Sequence, residues 1–104
     1  MEQKKQIFEK EKYIRPFFMG ETIGTIVHVE RPRCSVITFY LDADTPPFHL
    51  KINMPWLKAQ FFEIDKLKPG DRAYFLIFRR RYHYVHEAWA NPKWVRPDGT
   101  TYLA

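Results

Sequence analysis

The chain has 104 residues, 45% of them hydrophobic and 17% aromatic, which is enough for one compact domain with a substantial core. A formal net charge of +5 favours polyanionic partners, and no apolar run approaches the ~20 residues of a membrane span. The single cysteine, Cys34, excludes an internal disulfide and suits a reducing, cytoplasmic environment, and the charged N-terminus carries no apolar secretory segment.

The first segment of the chain, MEQKKQIFEKEKY, is charged throughout and contains few apolar residues. This pattern is typical of either a disordered arm or a short helix with many i,i+4 charge pairs. We therefore predict a short N-terminal arm over residues 1–14 and a single domain over residues 15–104.

Two strands are predicted after the arm. TIGTIVHVE at residues 22–30 and CSVITFYLD at residues 34–42 are rich in β-branched residues, and the short RPR between them favours a hairpin. Gly24 inside the first strand indicates a bend or a bulge.

A third strand is predicted in PPFHLKIN, where apolar and polar residues alternate. Alternation with a period of two predicts one side toward the core and one toward solvent. The expected core side carries Phe48, Leu50 and Ile52, and the expected outer side carries His49, Lys51 and Asn53.

A helix is predicted from Pro55 to Lys66. Pro55 suits a first helical turn, and Leu57, Phe61 and Ile64 have the spacing of one apolar helix face. The following KPG is expected to end the helix. DRAYFLIFRR at residues 71–80 then predicts a fourth strand, and a fifth is expected over residues 85–90.

The order of three strands, a helix and two strands resembles an OB-fold, the five-stranded Greek-key barrel with a helix between its third and fourth strands. The resemblance is carried by IGTIVHVE, CSVITFYLD, PPFHLKIN, PWLKAQFFEI and LKPGDRAYFLI, without a diagnostic motif. It covers Thr22 to about Ala90 and implies a mainly β, OB-like five-stranded barrel. SH3-like barrels rank second because they usually lack so long an inserted helix.

Catalytic and metal-binding patterns are weak in this sequence. His83 and His86 have a spacing that resembles half of a zinc site, but residues three apart on a strand point to opposite faces. No nucleophile elbow, P-loop or H-E-x-x-H motif occurs, and five acidic residues fall in predicted turns or on the predicted helix: Asp42, Asp44, Glu63, Asp65 and Asp71. We therefore predict a protein that is not an enzyme and that binds neither a metal ion nor a cofactor.

Cationic and aromatic residues are interleaved in RRRYHY, at the end of the fourth predicted strand. Single strands are bound by cations that follow the phosphates and by aromatic rings on which bases stack. The OB-fold resemblance implies a ligand face on strands 2 and 3, flanked by the loops joining strands 1 to 2 and 4 to 5. The expected phosphate contacts are Arg31, Arg33, Lys51, Arg79, Arg80 and Arg81, and the expected stacking surfaces are Tyr40, Tyr82, Tyr84 and Trp89.

These residues together predict a module that binds single-stranded DNA or RNA with little sequence preference. The alternative is a protein-interaction or scaffold subunit, including a homodimer, that docks through the same surface, because interfaces also favour Tyr, Trp, Phe and Arg. Basic residues around the rings of one groove would favour nucleic acid. An apolar patch with charges only at its rim would favour a protein partner.

Overall fold

The computed structural model describes residues 8–33, 35–79 and 83–90, most of which belong to one antiparallel sheet. The strands are β1 (Gly20–Arg33), β2 (Val36–Ala43), β3 (His49–Pro55), β4 (Arg72–Arg79) and β5 (His83–Ala90). A short helix, α1 (Trp56–Phe61), connects β3 to β4, and a 3-10 helix, Lys10–Lys12, precedes β1. The strand order across the sheet is β3, β2, β1, β4, β5.

Strand β1 is the long strand around which the sheet curls. Its 14 residues pair with β4 over Gly20–Thr25 and with β2 over Gly24–Arg33, so the two ladders overlap only around Gly24. Register shifts between Ile26 and His28, and again before Arg33, bend the strand further. Strands β1 to β4 consequently form a curled half-barrel.

The apolar core lies on one face of this half-barrel. Strands β2, β3 and β4 alternate between core and outer positions, and their core residues are at most 3% exposed: Ile37, Phe39, Leu41, Leu50, Ile52, Met54, Ala73, Phe75 and Ile77. The predicted core positions of Leu50 and Ile52 are thereby confirmed. Phe48 is 46% exposed, because it precedes β3 in a turn and has a left-handed φ of +72° that interrupts the alternation.

Helix α1 is shorter than predicted and buries a different side. It ends at Phe61 instead of Lys66, since Glu63 takes a left-handed φ of +61° that no α-helix can continue. Ala59 is fully buried, and at about 100° of rotation per residue the positions two before and two after it lie on the opposite side. Leu57 and Phe61 are accordingly 74% and 79% exposed.

The mainly β class with one helix between β3 and β4 is confirmed, whereas a closed five-stranded barrel is not formed by the described residues. Their sheet is open, with β3 at one edge and β5 at the other. At the free edge of β3, the Ile14 N–H donates to the His49 carbonyl at 3.1 Å, and the Lys51 N–H donates to the Ile14 carbonyl at 2.8 Å. This bridge occupies backbone groups through which β3 would pair with a closing strand.

Candidate nucleic-acid interface

The two predicted basic segments lie at opposite ends of β1. Arg33 pairs with Val36 at the C-terminal end, where the RPR predicted as a loop forms the last part of the strand instead. At the N-terminal end Gly20 pairs with Ile77, so the end of β4, with Arg79, lies there. Fourteen residues of extended strand span roughly 45 Å before any curl is considered. The pairing therefore separates Arg31 and Arg33 from the arginines that follow β4.

Strands β4 and β5 pair with each other, and in the sequence the arginine run lies between them. Arg79 at the end of β4 pairs with His83 at the start of β5. The strands predicted at residues 71–80 and 85–90 correspond to β4 and β5 in this register. The connecting residues Arg80, Arg81 and Tyr82 lie outside the described residues.

The other predicted stacking residues of this region belong to β5. Tyr84 pairs with Phe78, one position from the tip, whereas Trp89 pairs with Tyr74 and is therefore further along the hairpin. Only Tyr84 is thus close to the arginine run in the strand register.

Two exposed apolar side chains that the sequence did not single out lie at the same end of the sheet. Phe17 is 60% exposed and Met19 is 64% exposed, and they lie three residues and one residue before Gly20, which pairs with Ile77. The Phe17 ring meets the Phe18 ring edge-on at 6.1 Å, and Phe18 packs against the core. The sequence signal for this exposed pair was the apolar run PFFM, which has neither strand nor helix periodicity.

The N-terminal arm covers the outer face of β1–β3, which is the face that points away from the core. The Phe8 ring stacks on His28 with centroids 4.5 Å apart and meets the Tyr40 ring edge-on at 5.1 Å. Tyr13 contacts the rings of Tyr40 and His49 at 5.6 and 5.2 Å. Tyr40 is 0% exposed as a result, so the predicted stacking surface on this ring is not accessible while the arm is docked.

Two carboxylates on this face hold the arm. Lys10 Nζ lies 2.8 Å from Glu30 Oε2, and its hydrogen bond lowers the pKa of Glu30. The Tyr13 hydroxyl donates to Asp42 Oδ1, and burial together with this bond raises the pKa of Tyr13. The hydroxyl therefore remains a protonated donor at neutral pH.

The same carboxylates also contact side chains of the sheet itself. Glu30 accepts a hydrogen bond from the Tyr40 hydroxyl at 3.1 Å and lies 3.3 Å from Nε2 of His28. Asp42 lies 3.3 Å from Nδ1 of His49. Each carboxylate of this face therefore has side-chain partners within the sheet besides those in the arm.

The described cations differ in whether a carboxylate neutralises them. Arg72 donates twice to Asp44, at 3.0 and 2.6 Å, and this lowers the pKa of Asp44. Arg31 is exposed and donates to the backbone carbonyl of Asp65 at 2.6 Å. Lys51 is half-buried and forms no ion pair with another described residue. Of the predicted phosphate contacts with described side chains, Arg31 and Lys51 thus keep their charge unopposed.

Two further features were sought in the part of the chain that the structure describes. Within it, no three His, Cys, Asp or Glu side chains come together as metal ligands, and His28 and His49 instead contact carboxylates. No described helix combines the length and apolar character needed to cross a membrane.

Comparison of the chain with protein-family models, curated proteins and solved structures found no match. The described residues define a mainly β protein whose strands form a curled half-barrel with one helix.

Proposed function

We propose that the protein binds single-stranded DNA or RNA through the end of the sheet that carries the β4–β5 hairpin tip. The observation that carries the proposal is the pairing of Arg79 with His83, which leaves Arg80, Arg81 and Tyr82 to connect two paired strands. Adjacent guanidinium groups offer planar, bidentate donors to phosphate oxygens. The segment RRRYHY contains no acidic residue that would oppose them.

Aromatic rings beside the arginines would supply the second component of single-strand binding. Bases stack on flat aromatic faces, and each stacked base contributes about 1–3 kcal/mol. Tyr82 and Tyr84 follow the arginines in sequence, and the exposed ring of Phe17 lies at the same end of the sheet. Stacking depends little on base identity, which supports the predicted low sequence preference.

The order of the strands supports the same class of ligand by analogy. Strand β1 pairs with β2 and β4, β2 pairs with β3, and α1 lies between β3 and β4, as the OB-fold resemblance implies. OB-folds bind oligonucleotides and oligosaccharides, and the arginines favour the anionic ligand of the two. The protein would then be an OB-like module that acts by binding and not by catalysis.

Replacing Arg79, Arg80 and Arg81 together by alanine tests the proposal. If each arginine contacts one phosphate, the slope of log K against log salt should become shallower by about 2, since each contact to a single strand contributes about 0.7. Fluorescence anisotropy of labelled DNA and RNA oligonucleotides over a salt series measures this slope. Absence of binding by the unmodified protein at micromolar concentration and low salt would refute the proposal.

The matched control removes the same number of cations from elsewhere in the protein. Arg31→Ala, Arg33→Ala and Lys66→Ala change the net charge equally but leave the hairpin unaltered. We expect the salt slope of this variant to change less than that of the hairpin variant. Equal changes would indicate diffuse attraction to the whole protein instead of a site at the hairpin.

A second candidate function, a protein-interaction subunit, is supported by the outer side of α1. Leu57 and Phe61 lie one helical turn apart and are 74% and 79% exposed, and neighbouring Trp56 is 36% exposed. Large apolar side chains grouped on a surface are typical of protein interfaces. The simplest form of this candidate is a homodimer that buries α1 of both copies.

The variant Leu57→Ser with Phe61→Ser tests the homodimer. Sedimentation velocity over a concentration series should show association of the unmodified protein and a loss of association in the variant. Because both side chains are exposed, the urea midpoint should change little. Phe17→Ser with Met19→Ser is the matched control, since it removes exposed apolar groups from another region. An unmodified protein that stays monomeric at every concentration would contradict the homodimer.

A further inference from the structure

We propose that the N-terminal arm is an autoinhibitory strap, which single-stranded nucleic acid displaces from the sheet in order to extend its contact beyond the hairpin tip. The inference rests on the proposed function and concerns its regulation. The strap is the segment Phe8–Ile14. The covered surface is the side of β1–β3 that carries His28, Tyr40 and His49, here named the strap face.

The strap packs on the outer face of the sheet and lies outside the core cluster, although the Tyr13 side chain is buried. None of the buried residues that form the core cluster lies within it, and its 3-10 helix buries no residue. Its attachments are the rings of Phe8 and Tyr13, the hydrogen bond from the Tyr13 hydroxyl to Asp42, the backbone bridge of Ile14 and the ion pair of Lys10. Lys10 and its partner Glu30 are 49% and 29% exposed, so salt and water weaken this pair. The strap can therefore lift without opening the core.

The strap occupies positions on the sheet that suit a stacked base. The Phe8 ring lies nearly parallel to the His28 ring, with an interplanar angle of 30° and a centroid separation of 4.5 Å. A nucleobase is also a flat ring that gains energy by stacking on an aromatic face. Phe8 thus makes the type of contact that a base would make, and both cannot occupy the place at once.

The strap face keeps side-chain contacts of its own when the strap leaves. Glu30 retains His28 and Tyr40 as partners, and Asp42 retains His49. These contacts orient the three rings from within the sheet itself. Lys51 on β3 adds a positive charge that no carboxylate among the described residues opposes. Lys51 is therefore the cation that would hold a phosphate on this face.

A docked strap lowers the apparent affinity for the ligand by the fraction of molecules in the open state. Loosening the strap should consequently tighten binding of an oligonucleotide. A segment that only stabilises the fold would give the opposite result, because its loss would loosen the sheet on which the ligand binds.

Amide hydrogen exchange tests displacement directly in the unmodified full-length chain. The Lys51 and Ile14 amides bond across the bridge between strap and β3, so their exchange reports whether the strap is docked. We expect an excess of labelled single-stranded DNA to accelerate exchange at both amides by about tenfold or more, as expected for local opening. The Ile26 amide, which donates to the Asp71 carbonyl at 2.8 Å within the body of the protein, should remain unchanged. Unchanged exchange at the Lys51 and Ile14 amides with DNA bound would overturn the proposal that DNA displaces the strap.

The charge-neutral variant Phe8→Ala provides the second test. Removing the ring should raise the affinity for the same DNA by about threefold or more, since the open fraction increases. Phe48→Ala is the matched control, because Phe48 is 46% exposed and lies outside both the strap and the hairpin. If Phe8→Ala binds DNA with unchanged or lower affinity, the proposal of an autoinhibitory strap is overturned and the proposed function is left intact. Absence of DNA binding by the unmodified protein and by Phe8→Ala would overturn both.

Discussion

Replacing Gly24 by alanine is expected to lower the free energy of unfolding by at least about 3 kcal/mol, because the new methyl group would clash with backbone atoms. A Cβ at this position would overlap the carbonyl oxygen of Asp42 and lie 2.7 Å from the Cα of Ala43. Gly24 pairs with Ala43 on β2 and also with Ala73 on β4. Neither neighbouring backbone can retreat without breaking a ladder of the half-barrel.

Urea denaturation followed by tryptophan fluorescence measures this loss. Gly20→Ala is the control, since Gly20 has a φ of +133° but a Cβ there would meet nothing within 4 Å. It should cost about 1 kcal/mol through backbone strain alone. A Gly24→Ala variant as stable as the control would show that β1 and β2 do not approach each other so closely at this point.

The strands were predictable because their signal is local. The β-branched segments predicted at residues 22–30 and 34–42 fall largely within β1 and β2, and residues 71–80 include all of β4. The structural role of Gly24 was harder to predict. A glycine inside a strand indicated a bend at this position, but the register shifts of β1 lie further along the strand. The glycine is required instead because the backbone of β2, which is distant in sequence, passes close to it.

The arrangement of the site depended on pairing that no local pattern encodes. The segments around Arg31 and Arg79 both have the composition of a phosphate-binding loop. The pairing of β1 with β2 and with β4 shows that they lie at different ends of β1. Tyr40 has the alternation of an outward residue and does lie on the outer face. Its burial depends on Tyr13, which is near in space and far in sequence, and whose hydroxyl bonds to Asp42 across 29 residues. Charge and aromatic content thus indicated a class of ligand but could not place its site.

The helix shows why periodicity alone was insufficient. Leu57, Phe61 and Ile64 have the spacing of an apolar face, and that spacing predicts burial only if the helix continues to Ile64. Because the helix ends at Phe61, Ile64 reaches the core from the following segment, and Ala59 supplies the buried position of α1. The side chains of Leu57 and Phe61 are consequently exposed to solvent.

The same substitution at two phenylalanines separates these interpretations. Phe39→Ala should lower the free energy of unfolding by about 3–5 kcal/mol, whereas Phe61→Ala should change it by less than about 0.5 kcal/mol. Phe39 is 0% exposed and its ring lies 5.8 Å from that of Phe75, so its truncation leaves a cavity between β2 and β4. Phe61 is 79% exposed and leaves none.

Urea titrations of both variants, with the m-value checked for constancy, give the two losses on one scale. Each variant loses the same atoms, so the difference between them measures burial and not side-chain chemistry. A loss at Phe61 comparable with that at Phe39 would mean that the outer side of α1 packs against the core, as helical spacing alone predicted. A small loss at Phe61 would leave an apolar helix face that contributes little to folding, and association with another protein would then be the remaining physical reason for its exposure.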